Sequence, residues 1–147
     1  MSTNELYQEM ILDHYKNPRN CCSLDSCTHK AEGHNPLCGD ELEIEVKVDH
    51  GKIEELAFHG AGCAISQASA SMMTENLKGR SIEDAMGVYE KVHKMLTGEH
   101  PENGKELGKL QVLEGVSDYP ARVKCASLAW HTLKNALKDG STATTEE

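Results

Sequence analysis

The sequence predicts an α+β domain: a small three-stranded antiparallel sheet packed against several helices on one of its faces. Three observations carry this. From Glu41 to His50, Leu42, Ile44, Val46 and Val48 alternate with Glu43, Glu45, Lys47 and Asp49, the period of a half-buried strand. His50-Gly51 makes a tight turn, and Lys52 to His59 returns as a partner strand. Beyond residue 63, the apolar residues recur at helical spacing instead.

In chain order, residues 4 to 16 read as an amphipathic helix. Leu6, Met10 and Ile11 share a face with Tyr7 beside them, Asn4 caps it and Asn17-Pro18 ends it. Arg19 to Ser26 is a loop. Residues 28 to 34 make a short strand, followed by strands 41 to 50 and 52 to 59. The spacing from Ile53 to Leu56 breaks strict alternation and points to a bulge. Gly60-Ala61-Gly62-Cys63 is a glycine-rich turn into a helix over 64 to 77, with Ile65, Ala68, Met72 and Met73 near one face. Ser81 caps the next helix, which carries Glu83 and Asp84 in its first turn and runs to about Leu96. A short helix over Lys105 to Leu113 follows. Pro120 suits the first turn of the last helix, whose stripe is Ala126, Ala129, Trp130, Leu133, Ala136 and Leu137. Residues 1–140 are expected to form a single domain, and the Ser/Thr/Glu-rich residues 141–147 a disordered tail.

Composition excludes several function classes. The 147 residues carry 15 Lys and Arg against 24 Asp and Glu, a net charge of −9. No basic stripe is present, so no nucleic-acid partner is expected. No apolar run approaches the length of a membrane span, and no membrane role is expected. The N-terminus is polar and acidic, without a signal or transit pattern, and implies a cytoplasmic protein. There, six cysteines point to metal or catalysis rather than to disulfides.

Cys38, Asp40, Cys63 and Cys125 are the candidate ligand set. Three thiols and a carboxylate complete a tetrahedral zinc shell. Strand geometry would send Cys38 and Asp40 to the same face, with Gly39 offering no obstruction between them. Cys63 and Cys125 fall near helix starts, which favour thiolates, as a bound cation does. The site is expected at an exposed edge of the domain. No Cys-x2-Cys pair is present, so a shared metal site and scattered core cysteines both remain open at this point.

Four stretches stand in the order of the IscU/SufU family: Asn17-Pro18-Arg19-Asn20, Cys38-Gly39-Asp40, Gly60-Ala61-Gly62-Cys63-Ala64-Ile65-Ser66 and Arg122-Val123-Lys124-Cys125. The chain resembles these iron–sulfur cluster assembly proteins from about residue 4 to 138. The resemblance implies a SufE/NifU-like fold. IscU-type scaffolds carry a Leu-Pro-Pro-Val-Lys motif and a His before the last cysteine. Here Tyr119-Pro120-Ala121-Arg122-Val123 and Lys124 stand instead, with extra chain between Gly79 and Val116. That is the SufU pattern.

For the SufU type, the resemblance implies zinc-dependent sulfur transfer, with zinc on Cys38, Asp40, Cys63 and Cys125. A PLP-dependent cysteine desulfurase would hand persulfide sulfur to Cys38, which would pass it to a downstream cluster scaffold. Cys38 is the acceptor on this reading because its loop ties it down less than a helix start would. In that case the protein is a sulfurtransferase. Two other readings use the same residues: a scaffold holding a transient [2Fe–2S] cluster, which would not be an enzyme, and a structural zinc domain that docks a partner.

Other candidates are plainer. Arg122 and Lys124 flank Cys125 and suit steadying thiolates, contacting a partner or simply opening a helix. His59 and His34 lie close in sequence to Cys63 and Cys38, where they suit outer support of the site or an ordinary surface or core position. Cys21, Cys22 and Cys27 read as loop thiols, since adjacent cysteines ligate one zinc poorly. Met72, Met73 and Trp130 read as core.

Overall fold

A computed structural model describes residues 3–24, 26–36, 39–97, 104–117, 119–138 and 143–144. Helix α1 (Thr3–Lys16) leads to strands β1 (His29–Asn35), β2 (Asp40–Asp49) and β3 (Lys52–Ala61). Helices α2 (Ala64–Leu77) and α3 (Ile82–Leu96), a 3₁₀ segment (Gly104–Val116) and helix α4 (Pro120–Lys138) complete the helical part. This is the expected α+β architecture.

The three long strands pair antiparallel in the order β3-β2-β1. A two-residue strand β4 (Ala143–Thr144) adds parallel to β1 at Gly33 and His34, inside the stretch expected as a tail. The remaining residues expected in that tail, 141–142 and 145–147, lie outside the described ones. His50 and Gly51 both take positive φ (52° and 75°), as a two-residue primed hairpin turn requires. The expected bulge is present: Val48 pairs with Ile53 and Lys47 with Glu55, leaving Glu54 as the extra residue. Strand β3 runs two residues further than expected, through Gly60 and Ala61.

Alternation gives the sheet one buried face. Ile44, Val46, Ile53, Leu56 and Phe58 lie at or below 1% exposure, among α2 and α4. The opposite face carries Lys30, Glu43, Glu45, Lys47 and His59, as strand alternation from these core positions dictates.

Helix α2 is buried on nearly every side, because its small Ala and Ser residues let neighbours approach closely. Its hydroxyls all have partners. Ser69 Oγ donates to Ala126 O at 2.6 Å and accepts from Trp130 Nε1 at 3.1 Å. Ser71 Oγ lies 2.8 Å from His14 Nδ1 and accepts from Arg19 N at 2.8 Å. Asn20 Nδ2 donates to Thr74 Oγ1 at 3.1 Å. The Asn17-Pro18-Arg19-Asn20 stretch therefore anchors the end of α1 to α2. Each such buried bond contributes about 0.5–1.5 kcal/mol, and more is lost when one partner is removed.

Two expectations shift, the 105–113 helix and the strand link from Cys38 to Asp40, while the α1 face agrees wherever its side chains are described. The helix expected over 105–113 is a 3₁₀ segment interrupted at Gly108 (φ 54°, ψ −126°). Ile11 is buried and Met10 partly so on the inner face of α1, while the side chains of Leu6 and Tyr7 lie outside the described ones. The strand argument linking Cys38 to Asp40 fails: β2 begins at Asp40, and Gly39 takes a left-handed φ of 74°. Among the described residues, no helix is long and apolar enough to cross a membrane.

Candidate metal centre

Strand register brings three chain segments to one end of the sheet. Asn35 at the end of β1 pairs with Asp40 at the start of β2, and Glu41 pairs with Ala61 at the end of β3. Two residues beyond Ala61, Cys63 caps α2 in extended conformation (φ −72°, ψ 169°). Its Sγ accepts from Ser66 N at 3.5 Å, and Ser66 Oγ donates to Cys63 O at 3.0 Å. Cys125 enters from the second turn of α4, beyond the helix N-terminus itself.

These elements bring together Asp40, Cys63 and Cys125, whose donor atoms all lie within 4.8 Å of one another. Tetrahedral zinc–sulfur bonds of about 2.3 Å set sulfur–sulfur edges of about 3.8 Å. Cys63 Sγ stands 4.0 Å from Asp40 Oδ2. The carboxylate is held from both sides: Cys63 N donates to Oδ1 at 2.8 Å, and Asn35 Nδ2 donates to Oδ2 at 3.2 Å. Asn35 Nδ2 also lies 3.4 Å from Cys125 Sγ. One buried amide thus bridges two of the candidate ligands. Asn35 was not among the candidates, because nothing in the sequence separates it from an ordinary strand-end asparagine.

Gly62 is required by space. A Cβ there would collide with Ser66 Oγ and come within 2.9 Å of Asp40 Oδ1. The glycine in the turn before Cys63 is what lets that turn press against the carboxylate.

The centre is more enclosed than expected. Asp40 is 1% and Cys125 3% exposed, while Cys63 is half-buried. It lies at an end of the sheet, where β1 ends, β2 begins and α2 starts, rather than at an exposed edge. Cys38, the fourth candidate ligand, lies outside the described residues. Gly39 N donates to Asn35 O at 2.8 Å, so the two ends of the segment that contains it are joined beside the centre.

The remaining candidates lie elsewhere. Arg122 is exposed, with its guanidinium 4.6 Å above the ring of exposed Tyr119, and Lys124 is exposed. His59 and His34 are on the outer face of the sheet. His59 Nε2 sits 3.7 Å from both Glu43 and Glu45, and His34 Nδ1 3.7 Å from Glu41. Cys21, Cys22 and Cys27 are exposed. Burial and the neighbouring Cys22 thiol raise the pKa of Cys21.

The family model described as the NifU-like N-terminal domain matches residues 6–126. The chain belongs to the NifU-like N-terminal domain family. Among its relatives is the zinc-dependent sulfurtransferase SufU of Bacillus subtilis, 42% identical over 90% of this chain and 89% of that protein. The iron–sulfur cluster assembly scaffold protein IscU of Streptococcus pyogenes is 41% identical over 95% of this chain and 87% of its own. The crystal structure of a putative iron–sulfur cluster assembly scaffold protein for the SUF system, from Fervidobacterium islandicum, superposes with a TM-score of 0.85 at 34% identity. That match covers 93% of this chain and all of the other. This member of the NifU-like family is accordingly an iron–sulfur cluster assembly protein of the SufU/IscU group.

Proposed function

We propose that this protein is a zinc-dependent sulfur-transfer component of iron–sulfur cluster assembly. On this reading Cys38, Asp40, Cys63 and Cys125 hold the zinc, and Cys38 accepts sulfur from a cysteine desulfurase. The convergence of Asp40, Cys63 and Cys125 is the observation that carries it. The donor chemistry fits: two cysteine sulfurs, which bind zinc as thiolates, and a carboxylate suit zinc, and a buried amide and a backbone N–H orient the carboxylate.

When bound, zinc keeps its thiol ligands deprotonated. Everything else in the transfer is work for the chain. Gly39 and Asn35 join the ends of the segment bearing Cys38. Asp40 and Cys125 stay out of solvent, which keeps water from those two donors. The Cys38 thiolate would attack the terminal sulfur of a persulfide on a PLP-dependent desulfurase. A new S–S bond forms on Cys38, the old one breaks and the desulfurase cysteine leaves as a thiolate. No external oxidant or reductant is needed. A downstream scaffold thiolate would repeat the exchange.

A scaffold reading has support in the naming of the Streptococcus pyogenes relative, and the same sulfurs suit a [2Fe–2S] cluster. Metal analysis and visible absorption of protein purified without air separate the two: zinc and no visible bands for transfer, iron and sulfide for a scaffold. Cys38→Ala then separates transfer from a purely structural zinc domain. Transfer expects loss of desulfurase stimulation, and full stimulation by the variant would reject it.

A further inference from the structure

The outer face of the sheet carries a second set of metal-donor side chains, remote in character from the first. Glu43 and Glu45 stand two apart on β2 and share that face. His59 on β3 is the cross-strand partner of Glu43. Donor atoms of all three lie within 4.8 Å of one another.

We propose that Glu43, Glu45 and His59 form a binding site for a first-row divalent cation that prefers nitrogen and oxygen donors, such as Mn2+ or Fe2+. The imidazole makes this a mixed donor set and not a patch of acids. His59 Nε2 stands 3.7 Å from Glu43 Oε2 and 3.7 Å from Glu45 Oε2. That is beyond hydrogen-bond reach. An ion bonded to both groups at about 2.0–2.2 Å would draw them a few tenths of an ångström closer.

Glu43 is also oriented from behind, as metal-bound carboxylates are, while the backbone bond to Glu45 falls on the same oxygen that faces His59. Lys30 Nζ holds Glu43 through its other oxygen, Oε1, at 2.7 Å, so Oε2 stays turned toward His59. Leu24 N donates to Glu45 Oε2 at 3.1 Å. Glu45 has only 9% of its side chain exposed, so its charge is held against that of Glu43 in poorly solvated surroundings. A dication relieves this repulsion more fully than the single ammonium of Lys30 does.

An approach for the ion exists. A cleft of about 190 Å³ opens onto Glu43 and His59, walled by Glu32, His34, Glu41 and Gly60. Imidazole with two carboxylates and open positions suits a harder ion than the thiol set on the inner side.

The test uses the full chain already carrying zinc and titrates in Mn2+, following the loss of the free-ion EPR signal. The expected result is one Mn2+ per chain. Affinity should fall by more than about tenfold in His59→Ala and in Glu45→Gln. Gln keeps an oxygen for Leu24 N, and His59 is one-third exposed, so both variants should fold. His34→Ala, which alters the same cleft but not the three donors, should change affinity little. Three results would overturn the site: no saturable Mn2+ binding by the wild type, equal binding by His59→Ala, or an equal loss in His34→Ala. The second would mean that ions merely collect on an acidic surface.

Discussion

Residues of β2 that point toward the helices and those that point away differ in the properties that govern metal choice. Asp40 faces inward at the strand's start, joins two thiols and is 1% exposed. Glu43 and Glu45 face outward, join an imidazole and sit beside an ammonium. The strand's period of 2 sorts the two sets onto opposite sides. The inner set is built from three separate elements and is fixed by Asn35, which touches two of its members. The outer set comes from two paired strands and needs no distant part of the chain. The inner centre should therefore be coupled to the stability of the whole fold, and the outer one should not.

The largest expected effect comes from removing inner ligands. Cys125→Ala or Asp40→Ala should abolish stoichiometric zinc, a loss beyond the about 10–100-fold typical of changes outside the ligands themselves. Neither should alter Mn2+ binding on the outer face if the variant folds, as checked by circular dichroism. Stripping zinc from the wild type with a chelator should lower Tm by roughly 5–10 °C where zinc had been held at 100 times its Kd. An equal shift on removing Mn2+ would erase the contrast between the two sets.

Next in size is Asn35→Ala. It leaves buried partners at Asp40 and Cys125, and should destabilise the protein by about 1–3 kcal/mol in denaturant unfolding. Zinc affinity should fall about 10–100-fold. Gly62→Ala should weaken zinc binding through the contact with Asp40 Oδ1, by about tenfold in a competition assay with a chromophoric chelator.

The smallest effect lies away from both sets. His131 hydrogen-bonds Tyr89 Oη at 2.8 Å, with His93 and Lys134 close by. Burial, then the neighbouring His93 and Lys134, hold its pKa below the ordinary 6.5. The unfolded chain therefore takes up this proton first as pH falls, so stability contributed here is full above pH 6.5 and declines below it. His131→Asn should flatten the fall in stability between pH 7 and 5, measured by urea unfolding. An unchanged pH profile would count against this assignment.

Much of this was legible in the residues themselves. The β2–β3 hairpin announced itself through strict alternation and a two-residue turn, and even its bulge showed as a spacing error between Ile53 and Leu56. The cap at Ser81 could be read for the same reason, since capping is local chemistry, whereas Cys63 read only as part of a turn and proves to cap α2. What could not be read was nonlocal. Asn35 matters because a strand end and α4 happen to meet. The hydroxyls of α2 look like weak helix formers until their partners on α1 and α4 are in place. Gly39 looked like a spacer within a strand, whereas its positive φ ends strand geometry there. His59 looked like a neighbour of Cys63 because they are four residues apart, yet alternation turns it to the other face.

The central claim is that one zinc is shared by Cys38, Asp40, Cys63 and Cys125. Zinc-edge X-ray absorption on the protein as isolated tests it most directly. Three sulfurs at about 2.3 Å and one oxygen at about 2.0–2.2 Å are expected, falling to two sulfurs in Cys38→Ala. A shell with fewer sulfurs in the wild type, or one unchanged by that substitution, would contradict it.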